Sequence, residues 1–271
     1  MKFINPNKFI KEKKFVPSKK LGQNFLINED ILNEIIMNID IDNVDAIIEI
    51  GPGLGVLTSK LIELEKPLYL IELDKRLYDY LNERLSDKKN TQLFNENILD
   101  FDFSVITNKH KNPIIVANLP YSISSLIVIK FLKTLNIKTM YCMLQQEVAQ
   151  RLIAKPKTKQ YNSFSVLFQH QATCSELIHV GKNCFNPAPE VESKFIKLEK
   201  HSDDFNSSYD KFLKLIFLSK RKTLKNNLKH TIYNEKIEYL FNKFNLDEKV
   251  RSEEIPESII YQMFLNLNNH V

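Results

Sequence analysis

A chain of 271 residues that is 43% apolar can bury one substantial core and still carry a small second unit. Its 38 basic residues against 33 acidic ones leave a net charge of +5, a weak pointer to a polyanionic partner. Cys142, Cys174 and Cys184 are too scattered for a disulfide framework or a metal site, and no apolar run reaches the ~18 residues of a membrane span. With no apolar leader either, a cytoplasmic protein that engages no membrane is expected.

Taken in order, residues 1–20 form a basic block of seven lysines and one glutamate. Asn28-Glu29-Asp30 then precedes Ile31, Leu32, Ile35, Ile36 and Ile39, a helical spacing behind an N-cap signal. Residues 46–50 read as a short strand ending at Gly51, 54–64 as a helix, 67–73 as a second strand, 77–85 as a helix and 91–94 as a further strand. Residues 113–117 form an apolar strand, 122–135 a helix and 139–144 another strand. This alternation predicts a mostly parallel sheet covered on both faces. Residues 163–172 and 191–198 read as long extended segments, fitting an antiparallel hairpin at the sheet edge. Beyond about residue 202 the pattern turns helical, with Phe212, Leu215, Ile216 and Leu218 in one stretch and Pro256 opening a last helix. The expected organisation is an α/β domain over 1–200 and a small all-helical domain over 201–271. Within the latter, residues 211–229 carry Lys211, Lys214, Lys220, Arg221, Lys222, Lys225 and Lys229 with no acid among them. Two basic blocks flanking a catalytic core favour nucleic acid as the partner.

The chemistry is expected at the carboxyl ends of the strands, where open α/β sheets bind ligands. Glu49-Ile50-Gly51-Pro52-Gly53-Leu54-Gly55 sits at the first strand-to-helix junction. Glycine there lets the backbone approach a ligand, while Val56 at the third fingerprint position weakens a pyrophosphate reading. Glu72, ending the next strand, can accept both hydroxyl protons of an adenosine ribose, a group that NAD and S-adenosylmethionine share. The glycine spacing and Glu49 favour the methyl donor, whose sulfonium needs close backbone and a nearby carboxylate. At the end of the 113–117 strand, Asn118-Leu119-Pro120-Tyr121 forms a proline-stiffened turn. The side-chain carbonyl of Asn118 and the backbone carbonyl of Leu119 can accept the two protons of an exocyclic adenine amine, with Tyr121 stacking on the base. Catalysis would be positioning and oriented dipoles, with no metal or general base called for. None of His110, His170, His179, His201, His230 and His270 stands in a zinc or triad constellation, so no metal ligands are assigned.

These motifs, with Leu21-Gly22-Gln23-Asn24-Phe25-Leu26, Leu144-Gln145-Gln146-Glu147-Val148-Ala149, Phe185-Asn186-Pro187-Ala188-Pro189-Glu190-Val191-Glu192-Ser193 and Lys220-Arg221-Lys222-Thr223-Leu224, closely resemble the ribosomal small-subunit RNA adenine dimethyltransferase family, its bacterial members in particular. Their order spans nearly the whole chain. The resemblance implies a Rossmann-like class I methyltransferase sheet with a small C-terminal helical RNA-recognition domain. It implies that Gln23, Asn24 and Leu26 close over S-adenosylmethionine, that Gly51, Gly53 and Glu72 contact it, and that Asn118 lies between donor and target. Tyr121 and Phe185 resemble two aromatic walls sandwiching an extruded adenine. The family's aspartate at the donor adenine aligns with Asn97, which keeps an acceptor oxygen but loses the charge; Asp100 is a local substitute. The implied reaction is N6,N6-dimethylation of two adjacent adenosines near the 3′ end of 16S ribosomal RNA, in the small subunit or its precursor, by a monomeric enzyme. Another adenine-N6 methyltransferase, or an RNA-binding assembly or transcription factor on the same fold, is the alternative reading.

Overall fold

The computed structural model describes residues 5–268, so Lys2 of the basic block and His270 lie outside the described residues. A short helix α1 (Pro6–Glu12) opens the chain and is followed by strand β1 (Phe25–Leu26). Asn28 then caps helix α2 (Glu29–Met37) by accepting the Ile31 N–H at 3.0 Å. Strand β2 (Ala46–Ile50) leads through the glycine-rich turn to α3 (Val56–Leu61), and β3 (Leu68–Ile71) leads to α4 (Lys75–Leu85). After β4 (Thr91–Phe94) and the single turn α5 (Ser104–Thr107) come β5 (Pro113–Asn118), α6 (Ser124–Lys133), β6 (Thr139–Gln145) and α7 (Gln146–Leu152).

Every residue of β2 and β3 is buried, as strands covered on both faces require. Their apolar side chains join those of α2, α3 and α4 in one core that includes Ile35, Ile47, Leu61, Leu70 and Leu81. In the seven-stranded sheet the order is β4-β3-β2-β5-β6, followed by β9 (Ser193–Lys200) and, at the edge, β7 (Ala172–Val180). Pairing is parallel from β4 through β6, and β9 runs antiparallel to β6. The chain moves outward in one direction from β2 to β4 and in the other from β5 to β6. The switch point therefore lies between β2 and β5, where Ile50 pairs with Ala117. A separate two-stranded ribbon joins β1 to β8 (Phe185–Asn186).

The region 163–172 departs from expectation. It is helix α8 (Ser163–Gln171), and the edge strand begins only at Ala172. The aromatic and branched residues suggested an extended run, but Ser165, Val166, Leu167 and Phe168 are buried consecutively, which a period of two cannot achieve in a half-covered strand. Asn162 fixes the helix start: its Oδ1 accepts from Phe164 N at 2.9 Å and Ser165 N at 3.3 Å, and Ser165 Oγ accepts from Asn162 N at 3.2 Å.

The remaining helices are α9 (Ser207–Ile216), α10 (Leu224–Leu228), α11 (Ile237–Lys243) and α12 (Glu257–Asn268). Compact units do not divide at a single break near 200. One comprises the residues up to Ala149 with Cys174–Asp203; the other takes Gln150–Thr173 together with the chain from Asp204 onward. The reason is that α8 belongs with the later helices. Tyr161, Phe168, Tyr209, Phe212, Ile216 and Met263 form a buried interior there, and the Tyr161 hydroxyl donates to Ile255 O at 3.0 Å. No helix among the described residues is long and apolar enough to cross a membrane.

Because Asn162 satisfies two otherwise unpaired N–H groups of α8, Asn162→Ala should destabilise the protein by about 1 kcal/mol, read from the urea midpoint at unchanged m-value. A null effect would argue that α8 does not begin there.

Candidate active site

Three strand ends converge around a cavity of about 270 Å³ lined by backbone and side chains from the segment 20–26, from 49–54, from Glu72, from 96–99 and from Asn118 and Pro120. At the end of β2 the backbone enters the left-handed region at Gly51 (φ +66°) and Gly53 (φ +59°). A Cβ at Gly51 would meet nothing nearer than Asn118 O at 4.0 Å; it would extend into the space between β2 and β5. At Gly53 it would stand 3.0 Å from the Phe25 ring, so this aromatic packs directly on the glycine backbone.

Glu72 follows β3 and is buried. Its Oε2 accepts from Gly53 N at 3.0 Å and its Oε1 from Asp74 N at 2.8 Å, tying the glycine-rich turn to the next loop. Burial raises its pKa against the opposing pull of those bonds. Glu49, on β2, is enclosed completely and accepts from Thr58 Oγ1 at 2.7 Å. Burial above all, with the nearby Glu72 charge adding to it, pushes Glu49 up to about 8. The cavity thus holds a carboxyl group whose neutral form is favoured by burial.

Asn118 closes β5. Its Nδ2 donates to the backbone carbonyl of Asn24 at 3.0 Å, which leaves Oδ1 as the free acceptor of the amide. Asn24 is itself held by donation from its Nδ2 to Gly22 O at 3.2 Å. Leu119 donates its N–H to Met143 O at 3.3 Å and buries its side chain away from the cavity, while Pro120 starts the 3-10 turn Tyr121–Ile123. Tyr121 is half-buried beside the cavity wall, its hydroxyl 2.6 Å from the Oγ of buried Ser193.

Gln23, Asn24, Leu26, Gly51, Gly53, Glu72, Asn97, Asn118 and Pro120 therefore share one cavity. Phe185 does not. It lies opposite Leu26 in the β1–β8 ribbon, 3% exposed and within the main core, and Leu119 and Tyr121 likewise stand behind the cavity lining. Asn97 lines the cavity whereas Asp100 does not. Asp100 instead accepts the Asn97 Nδ2 at 2.7 Å, and Asn97 Oδ1 accepts from Leu99 N at 3.1 Å. Residues the sequence reading missed are Ser193, the anchor of Tyr121, and Phe25, the ring on Gly53; both belong to recognised motifs, but only the fold points their side chains.

In the helical unit, the basic cluster is divided by its partners. Lys220 Nζ donates to Lys159 O at 3.3 Å and Tyr161 O at 3.1 Å, and Lys225 pairs with Glu238 at 2.7 Å. Arg221 and Lys222 remain exposed beside them. Among the described residues no group of acidic, histidine and cysteine side chains is arranged to hold a metal ion.

Glu49 carries a sign-definite consequence for the ligand-free protein. Its folded pKa of about 8 exceeds the ordinary 4.5, so its contribution to stability is complete below 4.5 and is lost as pH rises through 8. Stability attributable to this group should fall by on the order of 1.4 kcal/mol per pH unit across that window. Glu49→Gln should flatten that part of the urea-midpoint profile; an unchanged profile would remove Glu49 as its source.

A family model described as ribosomal RNA adenine dimethylase matches residues 15–269. The chain is 42% identical over 265 residues to ribosomal RNA small subunit methyltransferase A of Malacoplasma penetrans, covering 97% of this chain and 95% of that protein. The protein of the same name from Borreliella afzelii is 37% identical over 266 residues, 96% of this chain and 90% of the relative. Among solved structures, a dimethyladenosine transferase from Plasmodium falciparum superposes with a TM-score of 0.76 at 25% identity, over 90% of this chain and 98% of that one. The 23S rRNA methyltransferase ErmE has the same fold, with a TM-score of 0.65 at 21% identity over 90% of this chain and all of that one. With a cavity at the switch point of a methyltransferase sheet and relatives matching along nearly the whole length, the chain belongs to the ribosomal RNA adenine dimethylase family.

Proposed function

We propose that this enzyme transfers methyl groups from S-adenosylmethionine to N6 of two adjacent adenosines near the 3′ end of 16S ribosomal RNA, giving N6,N6-dimethyladenosines during small-subunit biogenesis. The observation that carries the reading is the Asn118 amide, whose Nδ2 is occupied by Asn24 O and whose Oδ1 is free at the switch point of the sheet. Family membership supplies the reaction class.

Bound S-adenosylmethionine supplies an electrophilic methyl on a cationic sulfonium. The residues present fit it. Glu72 offers carboxylate lone pairs for a ribose, the bare backbone at Gly51 admits close approach, and buried Glu49 offers a latent negative charge. Asn97, its Nδ2 held by Asp100 and its Oδ1 by Leu99 N, keeps a second lone pair on Oδ1 for the donor's adenine amine. On the target side, Asn118 Oδ1 and the Leu119 carbonyl would accept hydrogen bonds from the amine N–H groups, which holds the nitrogen lone pair toward the donor; after each transfer the methylated nitrogen loses one proton to solvent. Tyr121, its hydroxyl fixed on Ser193, provides the stacking face. Phe185, which packs opposite Leu26 in the ligand-free protein, is the second aromatic wall of this reading. The helical unit serves as the RNA-recognition domain of the 201–271 region, extended by 150–173, with exposed Arg221 and Lys222 as phosphate contacts. The setting is the cytoplasm, where small subunits are assembled.

Incubating unmethylated small subunits with labelled donor should place label on two adjacent adenines as N6,N6-dimethyladenosine. Asn118→Ala should lower kcat by about 100-fold or more, because the lost acceptor acts only where the amine is reorganised. Label restricted to other nucleotides, or absent at saturating donor, would overturn the reading.

The charge state of Glu49 adds a second test. A cation beside it favours the carboxylate form, so donor binding should release a proton below the raised pKa. Donor Kd should tighten as pH rises toward about 8 and then level off, measured by calorimetry. A Kd independent of pH in that range would show that Glu49 does not face the donor's positive charge.

A further inference from the structure

One carboxylate outside the cavity wall joins three pieces of the site. Asp74 is 7% exposed and is absent from the cavity lining. Its Oδ1 accepts from Arg76 N and Arg76 Nε, both at 3.0 Å, and its Oδ2 from Arg76 Nη2 at 2.6 Å and Gln23 Nε2 at 2.8 Å. Gln23 is held at its other end too, since Oε1 accepts from Ser18 N at 2.7 Å. Arg76 reaches further along the same segment: Nη1 donates to Val16 O at 3.3 Å, and the guanidinium stands 4.5 Å from the Phe15 ring centroid. Phe15 in turn meets Phe25, the ring seated on Gly53. The N-terminal segment over the cavity is thus fastened to the β3–α4 junction chiefly through Asp74.

The same segment sets the acceptor. Asn24, next to Gln23, supplies the carbonyl that takes Asn118 Nδ2, and Gly22 lies against the turn, where a Cβ would be 3.5 Å from Tyr121 N. An amide has no intrinsic preference between its two ends, so Oδ1 faces the target only while Asn24 O holds Nδ2. Lifting the segment would free the Asn118 amide to rotate.

We propose that Asp74 is a positioning residue for methyl transfer: it latches residues 15–26 closed, and through Asn24 that latch orients the Asn118 amide. The inference rests on the methyl-transfer reading above. Arg76 keeps Asp74 ionised, holding its carboxyl below the usual range, so the latch persists through neutral and mildly acidic pH. Asp74 also caps α4, which the test must separate. Asparagine caps a helix as well as aspartate but cannot sustain the charge-assisted fork to Arg76, so Asp74→Asn is the discriminating variant.

Amide hydrogen exchange of the ligand-free protein should show residues 15–26 exchanging about tenfold faster in Asp74→Asn, with α4 and β5 protected as in the wild type. Arg76→Lys should loosen the same segment. In steady-state methylation of small subunits, Asp74→Asn should lower kcat at saturating donor by about tenfold or more with KM for RNA little changed. Combined with Asn118→Ala it should cost little beyond Asn118→Ala alone, because it acts through that amide. Wild-type exchange at 15–26, loosening of α4 itself, or a kcat loss that adds fully to that of Asn118→Ala would each overturn the latch. If the wild type transferred no methyl to the subunit, the function reading would fail, while the exchange result would still decide the latch.

Discussion

The carboxylate of Glu72 is the constraint on which the rest of the site depends. Sitting just past the fully buried strand β3, it accepts the backbone N–H of Gly53 on one oxygen and of Asp74 on the other. The first bond sets the course of the glycine-rich turn after β2; the second sets the loop that presents Asp74 to the N-terminal segment. A neutral side chain of similar size could not accept at both positions with the same strength, since charge-assisted bonds are about twice as strong as neutral ones. A position defined by the parallel sheet thereby fixes two loops that have no regular structure of their own.

The cost of this arrangement is electrostatic. Glu49 and Glu72 are both buried, and burial raises the pKa of each; the Glu72 charge adds to the rise at Glu49, and the Asp74 charge to that at Glu72. Glu72 offsets the cost with two backbone donors, whereas Glu49 has the Thr58 hydroxyl and remains shifted to about 8. Such a pair suits a site whose ligand is a cation. A cation beside Glu49 would favour its carboxylate form, so ionising that group and binding the charged donor are coupled.

Strand ends made much of this site legible in the sequence. Gly51, Glu72 and Asn118 each follow an apolar run, and parallel pairing carries runs of that kind to the same edge of the sheet. What the sequence could not reveal is where a side chain points once non-local pairing is imposed. Phe185 is marked only by its motif, and its pairing with Leu26, over 150 residues earlier, buries it in the ligand-free protein. The segment 163–171 carries strand-forming residues, yet a capping box and four consecutive buried positions make it a helix. Asp74 was visible as the neighbour of Glu72, but its role depends on Gln23, 51 residues away in sequence.

The two halves of the site therefore meet at a backbone atom. Gln23 and Asn24 are adjacent: the side chain of one answers to the donor-side loop through Asp74, and the carbonyl of the other answers to the target-side turn through Asn118. One contact is made by a side chain and the other by a backbone carbonyl, which is how one short stretch can serve both. In the proposed latch, closure over the donor and orientation of the acceptor are coupled, because both bonds are made by the same short stretch of chain. For an amine as weakly nucleophilic as that of adenine, whose lone pair is delocalised into the ring, this coupling matters: reorganising the amine is productive only when the donor is already enclosed.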